Sequence, residues 1–453
     1  MSEENDEKID MVSVPKKSYW HLTAPIIIFV LFNAVYGIID LYWVSKLDSA
    51  SFYAASASLP IFTLICAVGD SVGQGTNSLM SRSIGADNYE NAYNTIFHGM
   101  LICLIVALLL ALGIPFIDDF LIFAKLDKSV EVIVSYLAPM FLFSICFILP
   151  NFLSETLQSE GDSRRPTMII IFCNILNLVL DPILIFNFNL GLVGAAYATI
   201  ISSLVSALML LYLYLAKKTK IPLRFKFSKL KFHIFFEILN VAFPNFIKDS
   251  LFCSMAVFVN GILLKEIGEI GVLLYSTSIK LQDLFITPIK AYGRGLMSVT
   301  GQLFGSKKIL EVEDMYHYVL KIALITIIII SILFVVFRDV IYSSFSIFGM
   351  NLAVEHIAIC GSVILIGMAI SMITSKMIDG FGKSYYNLIF TALLVILQIV
   401  IISIIDEIFL HGTSVLIGIM IAEIISTSIY YVFLKYMFKR FEKQKKEEKL
   451  VVI

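Results

Sequence analysis

The chain has 453 residues, of which 58% are hydrophobic and 15% are charged, and its formal net charge at pH 7 is -1. Soluble proteins carry about 25% charged residues, so this composition excludes a chain that folds mainly in water. The net charge itself decides little, because in a membrane protein the positions of Lys and Arg along the chain carry the information.

Long apolar runs bounded by charged and turn residues predict twelve membrane-spanning helices. The first six are predicted near 22–45, 52–81, 92–117, 130–155, 166–187 and 191–216. The second six are predicted near 233–265, 272–303, 313–343, 353–380, 384–405 and 411–437. The predicted segments of the chain are 1–21 as an N-terminal segment, 22–216 as an N-lobe, 217–232 as a basic linker, 233–437 as a C-lobe and 438–453 as a tail.

Lys and Arg lie mostly on one side of this predicted topology. The N-terminus, the turns after even-numbered helices, the linker and the tail hold most of them, whereas the opposite turns are short or acidic, as at Asp118 and Asp119. Because cytoplasmic loops are enriched in Lys and Arg, both termini are predicted to be cytoplasmic. The acidic start, MSEENDEKID, lacks the features of a cleavable signal peptide, so the first helix is expected to direct insertion.

Two basic stretches raise the question of nucleic-acid binding. They are KKTKIPLRFKFSKLKFH at 217–233 and KRFEKQKKEEK at 439–449. Both adjoin predicted spans, where basic residues contact anionic lipid headgroups, so the lipid bilayer is the expected partner and no nucleic acid is expected. The six cysteines show no CxxC pairing and are expected to be buried thiols.

The two halves of the chain align on each other. GQGTNSLMSRSIG at 73–85 corresponds to GRGLMSVTGQLFG at 293–305, and GDSRRP at 161–166 corresponds to GKSYYN at 382–387. A duplicated six-helix unit enters the membrane twice in the same orientation. The sequence therefore predicts an all-α integral membrane protein with twelve transmembrane helices, in two pseudo-symmetric six-helix lobes around a central cavity.

The first half keeps an acid where the second half does not. Asp40 in the first helix corresponds to Asn260, 220 residues later. A charge deep in a span costs roughly 2.5 to 3.5 kcal/mol on insertion scales, so a functional reason for Asp40 is expected.

Polar residues spaced i, i+3 and i+7 occur in two helices, and residues at this spacing share one helix face. They are Asn33, Tyr36 and Asp40 in the first helix and Asn174, Asn177 and Asp181 in the fifth. If these helices are neighbours, one cluster forms that can hold a proton or a sodium ion. The cation-coupling candidates are Asp40, Asp181, Asn177, Tyr36, Tyr136 and Thr199, with sodium expected at Asp40, Asp181 and Asn177. The alternative is a buried hydrogen-bond network that holds the lobe together.

Two prolines lie in these same helices. Pro25 is near the start of the first, and Pro182 directly follows Asp181 in the fifth. Proline removes a helix hydrogen bond, so both positions are candidate hinges, although membrane helices also tolerate proline without any such role.

Further charged residues lie where the two lobes are expected to meet. Asp70 corresponds to Lys290 by the same offset, and this pair is a candidate inner gate, the alternative being pairing inside each lobe. Adjacent residues point about 100° apart on a helix, so one of Lys248 and Asp249 is a candidate cavity residue, as is Asn260. The fourth helix of the second lobe has no acid in its middle, so no cation site is expected in that lobe.

These residues together resemble the multidrug and toxic compound extrusion (MATE) family. The resemblance rests on the Asp40 helix, the glycine-rich end of the second helix, QSEGDSRRP at 158–166, and NLVLDP followed by LGLVGAAYAT. The six cation-coupling candidates resemble the DinF-type branch of bacteria and archaea. The resemblance implies a cation-coupled multidrug efflux antiporter of the bacterial or archaeal cytoplasmic membrane, with a small-molecule substrate in the central cavity and no cofactor.

Other functions remain as alternatives. The serious one is a lipid-linked saccharide flippase of the same superfamily, although such relatives tend to have more spans or a cationic cavity. A membrane-embedded enzyme is remote, because the six His residues are scattered and show no metal-binding spacing. A passive channel would not need two bendable lobes. Nothing in the sequence requires a second chain, so a functional monomer is expected.

Overall fold

The computed structural model describes residues 11–123, 130–223, 231–266, 269–343, 351–408 and 413–451. Within these ranges every regular element is a helix. The first half contains α1 (Pro15–Val44), α2 (Ser49–Gly85), α3 (Tyr89–Leu112), α4 (Ile117–Phe123), α5 (Val130–Leu142), α6 (Ile145–Ser159), α7 (Arg164–Pro182) and α8 (Gly191–Leu215). The second half contains α9 (Phe232–Glu266), α10 (Glu269–Gly305), α11 (Ile309–Ser343), α12 (Asn351–Gly380), α13 (Tyr385–Ile408) and α14 (Thr413–Val451).

The helices are long and apolar enough to cross a membrane. Among the described residues, eight helices pass this test by length and composition, and the bent pair α5 and α6 makes a ninth span. The other three long helices, α1, α9 and α10, have 30, 35 and 37 residues, more than the roughly 20 that a bilayer requires. The chain is a multi-pass membrane protein with the predicted all-α fold.

Two predicted helices are interrupted. The predicted helix 92–117 ends earlier, because α3 stops at Leu112 and a 3-10 turn occupies Ile114–Phe116. The amide of Gly113 bonds back into α3 at 3.0 Å, and Pro115 has no amide hydrogen with which to continue the helix. The short helix α4 then begins at Ile117.

The predicted helix 130–155 is also divided, since α5 and α6 meet at an angle of 50°. At the break, the amides of Ser144 and Cys146 bond to carbonyl oxygens three residues back rather than four. Ser144 Oγ donates to the carbonyl oxygen of Ala107 on α3, at 3.3 Å. The tighter local bonding and this tertiary contact mark the site of the bend.

The internal duplication is visible in the backbone of equivalent turns. After α2 and after α10, Asp87 and Lys307 adopt left-handed φ angles of 54° and 60°. After α6 and after α12, Gly161 and Gly382 do the same, at 92° and 72°. In all four turns the next amide donates to the carbonyl oxygen five residues back, at 2.8 to 3.2 Å. Both halves therefore close their second and fourth spans with the same C-terminal motif.

Helix packing repeats in the same way. In one half α2 packs along α6, and in the other α10 packs along α12. A Cβ added at Gly73 would lie 2.8 Å from Cβ of Glu155, and one added at Gly293 would lie 2.9 Å from Cγ of Lys376. Glycine at these two equivalent positions lets the helices approach closely.

The chain forms two compact units, Met1–Phe246 and Ile247–Ile453. The division lies inside α9, whereas the sequence placed it in the linker before residue 233. The reason is that Ile234, Ile238 and Ala242, in the first turns of α9, belong to the hydrophobic core of the N-terminal unit. Gly75 also lies so close to α9 that an added Cβ would be 2.5 Å from the carbonyl oxygen of Ile238.

Candidate functional site

Two helices of the N-terminal unit, α1 and α7, meet along a row of polar side chains. Asn174 Nδ2 donates to Asn33 Oδ1 at 3.3 Å. One turn further, Tyr36 Oη donates to Asn177 Oδ1 at 2.7 Å. Both pairs are 141 residues apart, and a constant separation means that the two helices run parallel and in register. The first and fifth predicted spans, α1 and α7, are therefore adjacent, as the predicted cluster requires.

The same register brings two carboxyl groups together. Asp40 and Asp181 are again 141 residues apart, and their side chains are close enough to share a hydrogen bond. An ionised carboxylate only accepts hydrogen bonds, so such a bond needs a proton on one of the two acids. Asp181 is fully buried and Asp40 is partly buried. The pair is a place that can hold a proton or another cation.

Asn177 connects this pair to α8. Its side chain is buried, and its Nδ2 lies 3.4 Å from both Asp181 Oδ1 and Thr199 Oγ1. The Thr199 hydroxyl donates to the carbonyl oxygen of Ala195 at 3.0 Å, which holds its oxygen in place. Three helices thus contribute oxygen atoms to one buried cluster.

The Asn177 amide satisfies its surroundings better in the opposite orientation. Its nitrogen then donates to Asp181 Oδ2 at 3.2 Å and to Tyr36 Oη at 2.7 Å, and its oxygen accepts from the Thr199 amide at 3.1 Å. In that orientation the Tyr36 hydroxyl hydrogen is available to a carboxylate. Asn177 therefore links the tyrosine, the acid and Thr199 of α8 in either orientation.

Tyr136 on α5 completes the set of candidates. It lies within electrostatic range of both Asp40 and Asp181, and it packs against two hydrophobic core clusters of the N-terminal unit. Among the described residues, neither acid forms an ion pair with Lys, Arg or His. The structure thus brings together all six residues that the sequence singled out for cation coupling.

The oxygen atoms of this cluster are suitable ligands for a hard monovalent cation. Carboxylate, amide, hydroxyl and phenol oxygens from Asp40, Asp181, Asn177, Thr199 and Tyr36 surround one region. Oxygen ligands of this kind suit hard cations, whereas the described residues contain no group of three or more His, Cys, Asp or Glu side chains of the kind that holds a transition metal. The cluster can therefore accept a proton or a sodium ion.

Both candidate hinges lie in helices of the cluster. Pro25 is inside α1, and Pro182 is the last residue of α7. A π-helical turn, Ile183–Asn187, directly follows Pro182. Proline removes one helix hydrogen bond and π-helical turns widen the helix, so the backbone next to Asp181 departs from regular α geometry. The hinge role itself stays a prediction.

The other charged candidates lie elsewhere. Lys290 Nζ is 3.0 Å from Asp283 Oδ1 on the same helix, which is pairing inside one unit. Lys248 lies within electrostatic range of Asp379 in the C-terminal unit. Asp70 lies on α2, in the N-terminal unit, and its pairing with Lys290 stays a prediction. The side chains of Asp249 and Asn260 fall outside the described part of the chain.

The second half holds a buried acid in the middle of a span that was not predicted from the sequence. Glu423 on α14 is only 4% exposed and accepts hydrogen bonds from Ser371 and Thr427. The signal was present, because Glu423 interrupts the apolar run VLIGIMIAEII as Asp40 interrupts its own. Glu423 lies in the sixth helix of this half, whereas the absence of a cation site was predicted from the fourth.

Comparison with known proteins gives matches to both the sequence and the fold. The profile of the MatE family matches residues 25–183 and 244–404, one segment in each half. The multidrug export protein MepA of Staphylococcus aureus (strain MRSA252) is 28% identical over 299 residues, which are 64% of this chain and 65% of MepA. The matched part is thus slightly less than two thirds of that relative.

Two solved structures match nearly the whole chain. A crystal structure of MATE in the bent conformation is 26% identical and has a TM-score of 0.91, with 96% of this chain and 98% of that chain covered. A crystal structure of MATE in the straight conformation has the same identity and coverage and a TM-score of 0.90. Because the two family segments together cover more than half of the residues and the fold matches throughout, the chain belongs to the MatE family, the multidrug and toxic compound extrusion (MATE) transporters.

Proposed function

We propose that this chain is a cation-coupled exporter, which expels amphipathic, often cationic small molecules in exchange for protons or sodium ions. The observation that carries the proposal is the buried cluster around Asp40 and Asp181, two acids with no basic partner among the described residues. Intramembrane acids are costly and mark ion pathways or proton relays. The DinF-type assignment rests on the same residues.

The cluster also suggests how the cation acts. With a proton or sodium ion bound, the repulsion between Asp40 and Asp181 is removed, and α1 can stay packed on α7. Without the cation, two negative charges remain in a buried position, which favours a different arrangement of these helices. Pro25 and Pro182 provide points at which either helix can bend.

Such a change at α1 and α7 would accompany rocking of the two six-helix lobes, which is how duplicated transporters alternate access to one site. We further propose that the protein acts as a monomer in the cytoplasmic membrane of a bacterium or archaeon, with both termini in the cytoplasm. MepA is named for multidrug export, and a broad substrate range is consistent with the 36 Phe, 20 Tyr and 16 Met of this chain.

The test is efflux of a fluorescent cationic dye from proteoliposomes under an imposed proton or sodium gradient. The wild type is compared with Asp40→Asn, which keeps the size of the side chain and removes its charge. Asp119→Asn is the matched control, because Asp119 is exposed on α4 and lies outside the cluster. We expect one gradient to drive efflux in the wild type and in the control, and Asp40→Asn to abolish the dependence on that gradient.

If efflux proceeds equally with and without either gradient, cation coupling is wrong. If no dye is exported at all, the same vesicles are tested for transfer of a lipid-linked saccharide between leaflets. Transfer of that lipid would replace drug export with the flippase function.

A further inference from the structure

The C-terminal unit holds a buried acid of its own in the middle of a span. Glu423 on α14 faces α12, and its exposed fraction is 4%. Ser371 Oγ donates to Glu423 Oε1 at 3.3 Å, and Thr427 Oγ1 lies 3.4 Å from the same oxygen. The two hydroxyl oxygens are 2.9 Å apart. Oε2 accepts no hydrogen bond from the described residues.

The position of this carboxyl group is fixed by close packing. A Cβ added at Gly367 on α12 would lie 2.7 Å from Cγ of Glu423 and 3.2 Å from Oγ1 of Thr427. The Thr427 hydroxyl also lies 3.2 Å from the carbonyl oxygen of Gly367. Glycine at 367 therefore makes room for the acid, and the carboxyl group fills that room.

No positive charge compensates Glu423 among the described residues. Tyr430 on α14 itself lies within electrostatic range of Glu423. Other titratable groups on the helices packed around it include Tyr316 on α11 and Cys360, Lys376 and Asp379 on α12. Lys376 pairs with Asp379 at 3.3 Å. Tyr316 bonds to Thr374, and Tyr430 donates to the carbonyl oxygen of Asn387. Residues 385–404 of α13 contain no Asp, Glu, Lys, Arg or His.

We propose that Glu423 is a proton-binding site, with the proton on Oε2. The two hydroxyls provide at most two hydrogen atoms and no charge, which does not offset the burial of an ionised carboxylate. Ser371 donates to Oε1, and the single hydrogen of Thr427 is shared between Oε1 and the carbonyl oxygen of Gly367. Oε1 therefore acts as a carbonyl-type acceptor, and the unbonded Oε2 is the place for the proton. This site lies in the unit opposite to the Asp40 cluster and does not depend on cation coupling there.

The bound proton has a consequence for α12 and α14. Its loss would leave a negative charge between two closely packed helices, with only hydroxyl groups to hold it. Occupancy by a proton therefore stabilises the contact of α14 with Gly367 and Ser371. If Glu423 only filled space, the contact between α12 and α14 would be equally stable with a charged and with a neutral side chain.

The test uses infrared difference spectra of the full-length protein in lipid vesicles during a pH titration. The background is Asp40→Asn with Asp181→Asn and Glu160→Gln, so that neither the acids of the N-terminal cluster nor the buried Glu160 contribute. We expect a carbonyl-stretch band of a protonated carboxylic acid at neutral pH in this background and its loss when Glu423→Gln is added. The amide oxygen of Gln can still accept the hydrogen bond from Ser371, so the packing is preserved.

A second variant covers the case in which Glu423→Gln does not fold. Ser371→Ala with Thr427→Val removes both hydroxyls and keeps the acid, so the band is expected to move to higher frequency. A band that neither variant changes means that Glu423 holds no proton, and the proposal is wrong. Binding of radioactive sodium to the background protein, lost on Glu423→Gln, would also overturn it in favour of a sodium site.

Discussion

Asn177 is the residue at which the three helices of the N-terminal cluster are joined. It contacts Tyr36 on α1, Asp181 on its own helix and Thr199 on α8. A buried amide with partners on each side fixes the geometry of its neighbours, because each unpaired polar atom at this depth is costly. The proposed cation binding at this cluster therefore depends on this network as well as on the two acids.

Tyr36→Phe tests the contribution of that network. The change removes the 2.7 Å hydrogen bond to Asn177 and keeps the shape of the ring. A net hydrogen bond is worth about 0.5 to 1.5 kcal/mol, so we expect the cation affinity to fall roughly two- to tenfold. The measurement is the cation concentration that gives half-maximal dye efflux. Tyr197→Phe, at a partly exposed position of α8, is the matched control, and an equal effect of both would contradict the assignment.

The acids of this cluster were predictable from sequence alone, because a carboxylate in an apolar run is a strong signal. The partners of each acid were only partly predictable. Regular i, i+3 and i+7 spacing placed Asn177 and Tyr36 on suitable faces, whereas the contact between helices needed the fold. Glu423 interrupts an apolar run as Asp40 does, but it was not predicted as a site. Its hydroxyl partner Ser371 lies 52 residues away on α12, and Thr427 lies one turn further on α14.

The backbone next to Asp181 depends on how α8 packs against it. After Pro182 the chain forms the π-helical turn Ile183–Asn187, and α8 begins close by at Gly191. A Cβ added at Gly194 would lie 2.8 Å from the carbonyl carbon and oxygen of Leu184. Only a glycine allows this approach, which also places Thr199 one turn further along α8.

Gly194→Ala is expected to destabilise the N-terminal unit. The neighbouring atoms belong to the backbone and cannot turn away, so α8 has to shift, at a cost of about 1 to 3 kcal/mol. Thermal unfolding of the purified protein measures this as a lower Tm. Gly37→Ala is the control, because nothing lies within 4 Å of its added Cβ and no loss is expected. Equal Tm values for both variants would show that the contact is looser than described.

A buried acid outside the spans attaches the segment that follows α8. Glu160, in the turn between α6 and α7, accepts a hydrogen bond from the amide of Lys220 at 2.7 Å. Its other oxygen, Oε1, is buried without a partner. Burial raises the pKa of the Glu160 carboxyl to about 8. The attachment of this segment is therefore sensitive to pH.

The direction of this effect follows from proton binding. An unfolded glutamate releases its proton near pH 4.5, whereas folded Glu160 keeps it up to about pH 8. The stabilisation that the proton on Glu160 gives to the folded state is fully present below pH 4.5, the pKa of the unfolded glutamate. It is lost as the pH rises through about 8, the pKa of folded Glu160. We expect trypsin to cleave after Lys217, Lys218 or Lys220 faster at about pH 9 than at about pH 6.

Glu160→Gln is the control for this prediction. Its amide oxygen accepts the same hydrogen bond and does not ionise, so cleavage of the variant reports only the pH dependence of trypsin itself. The ratio of wild-type to variant cleavage should rise with pH. A ratio that stays constant would mean that the carboxyl group does not ionise in this range or does not hold the segment.

At the level of helices, apolar runs predicted the spans well, because bilayer thickness sets their length. The breaks within these helices were harder to predict from the sequence. The end of α3 was readable in Gly113 and Pro115, but the bend between α5 and α6 has no proline or glycine at its centre. It forms where Ser144 bonds to α3, and such a tertiary contact leaves no local pattern.

The internal duplication of the whole chain is visible in the conformation of single turns. Asp87 and Lys307 share a left-handed conformation, and Gly161 and Gly382 share another. The two halves are nevertheless divided unequally in space, since the first turns of α9 pack with the N-terminal unit. Sequence alignment of the halves revealed the repeat but not this division, which depends on packing around Ile238.

The direction of the helices supports the predicted topology. Ser163 Oγ donates to the carbonyl oxygen of Leu22 at 2.5 Å, and this pair is also 141 residues apart, at the opposite end of α1 from Asp40. The first and fifth spans therefore run parallel along most of their length. Parallel first and fifth spans require an odd number of crossings between them, which agrees with three intervening spans, α2, α3 and the bent pair α5 and α6.

This topology predicts opposite labelling of two exposed positions. Ala86 follows α2, on the side that the Lys and Arg distribution assigns to the cytoplasm, and Asp119 lies in α4, on the other side. In a variant whose six native cysteines are replaced by Ala, we expect a membrane-impermeant maleimide to label Asp119→Cys in intact cells. Ala86→Cys should react only after the membrane is opened. The reverse pattern would place both termini outside, and labelling of both positions in intact cells would mean that one fewer helix separates them than the fold requires.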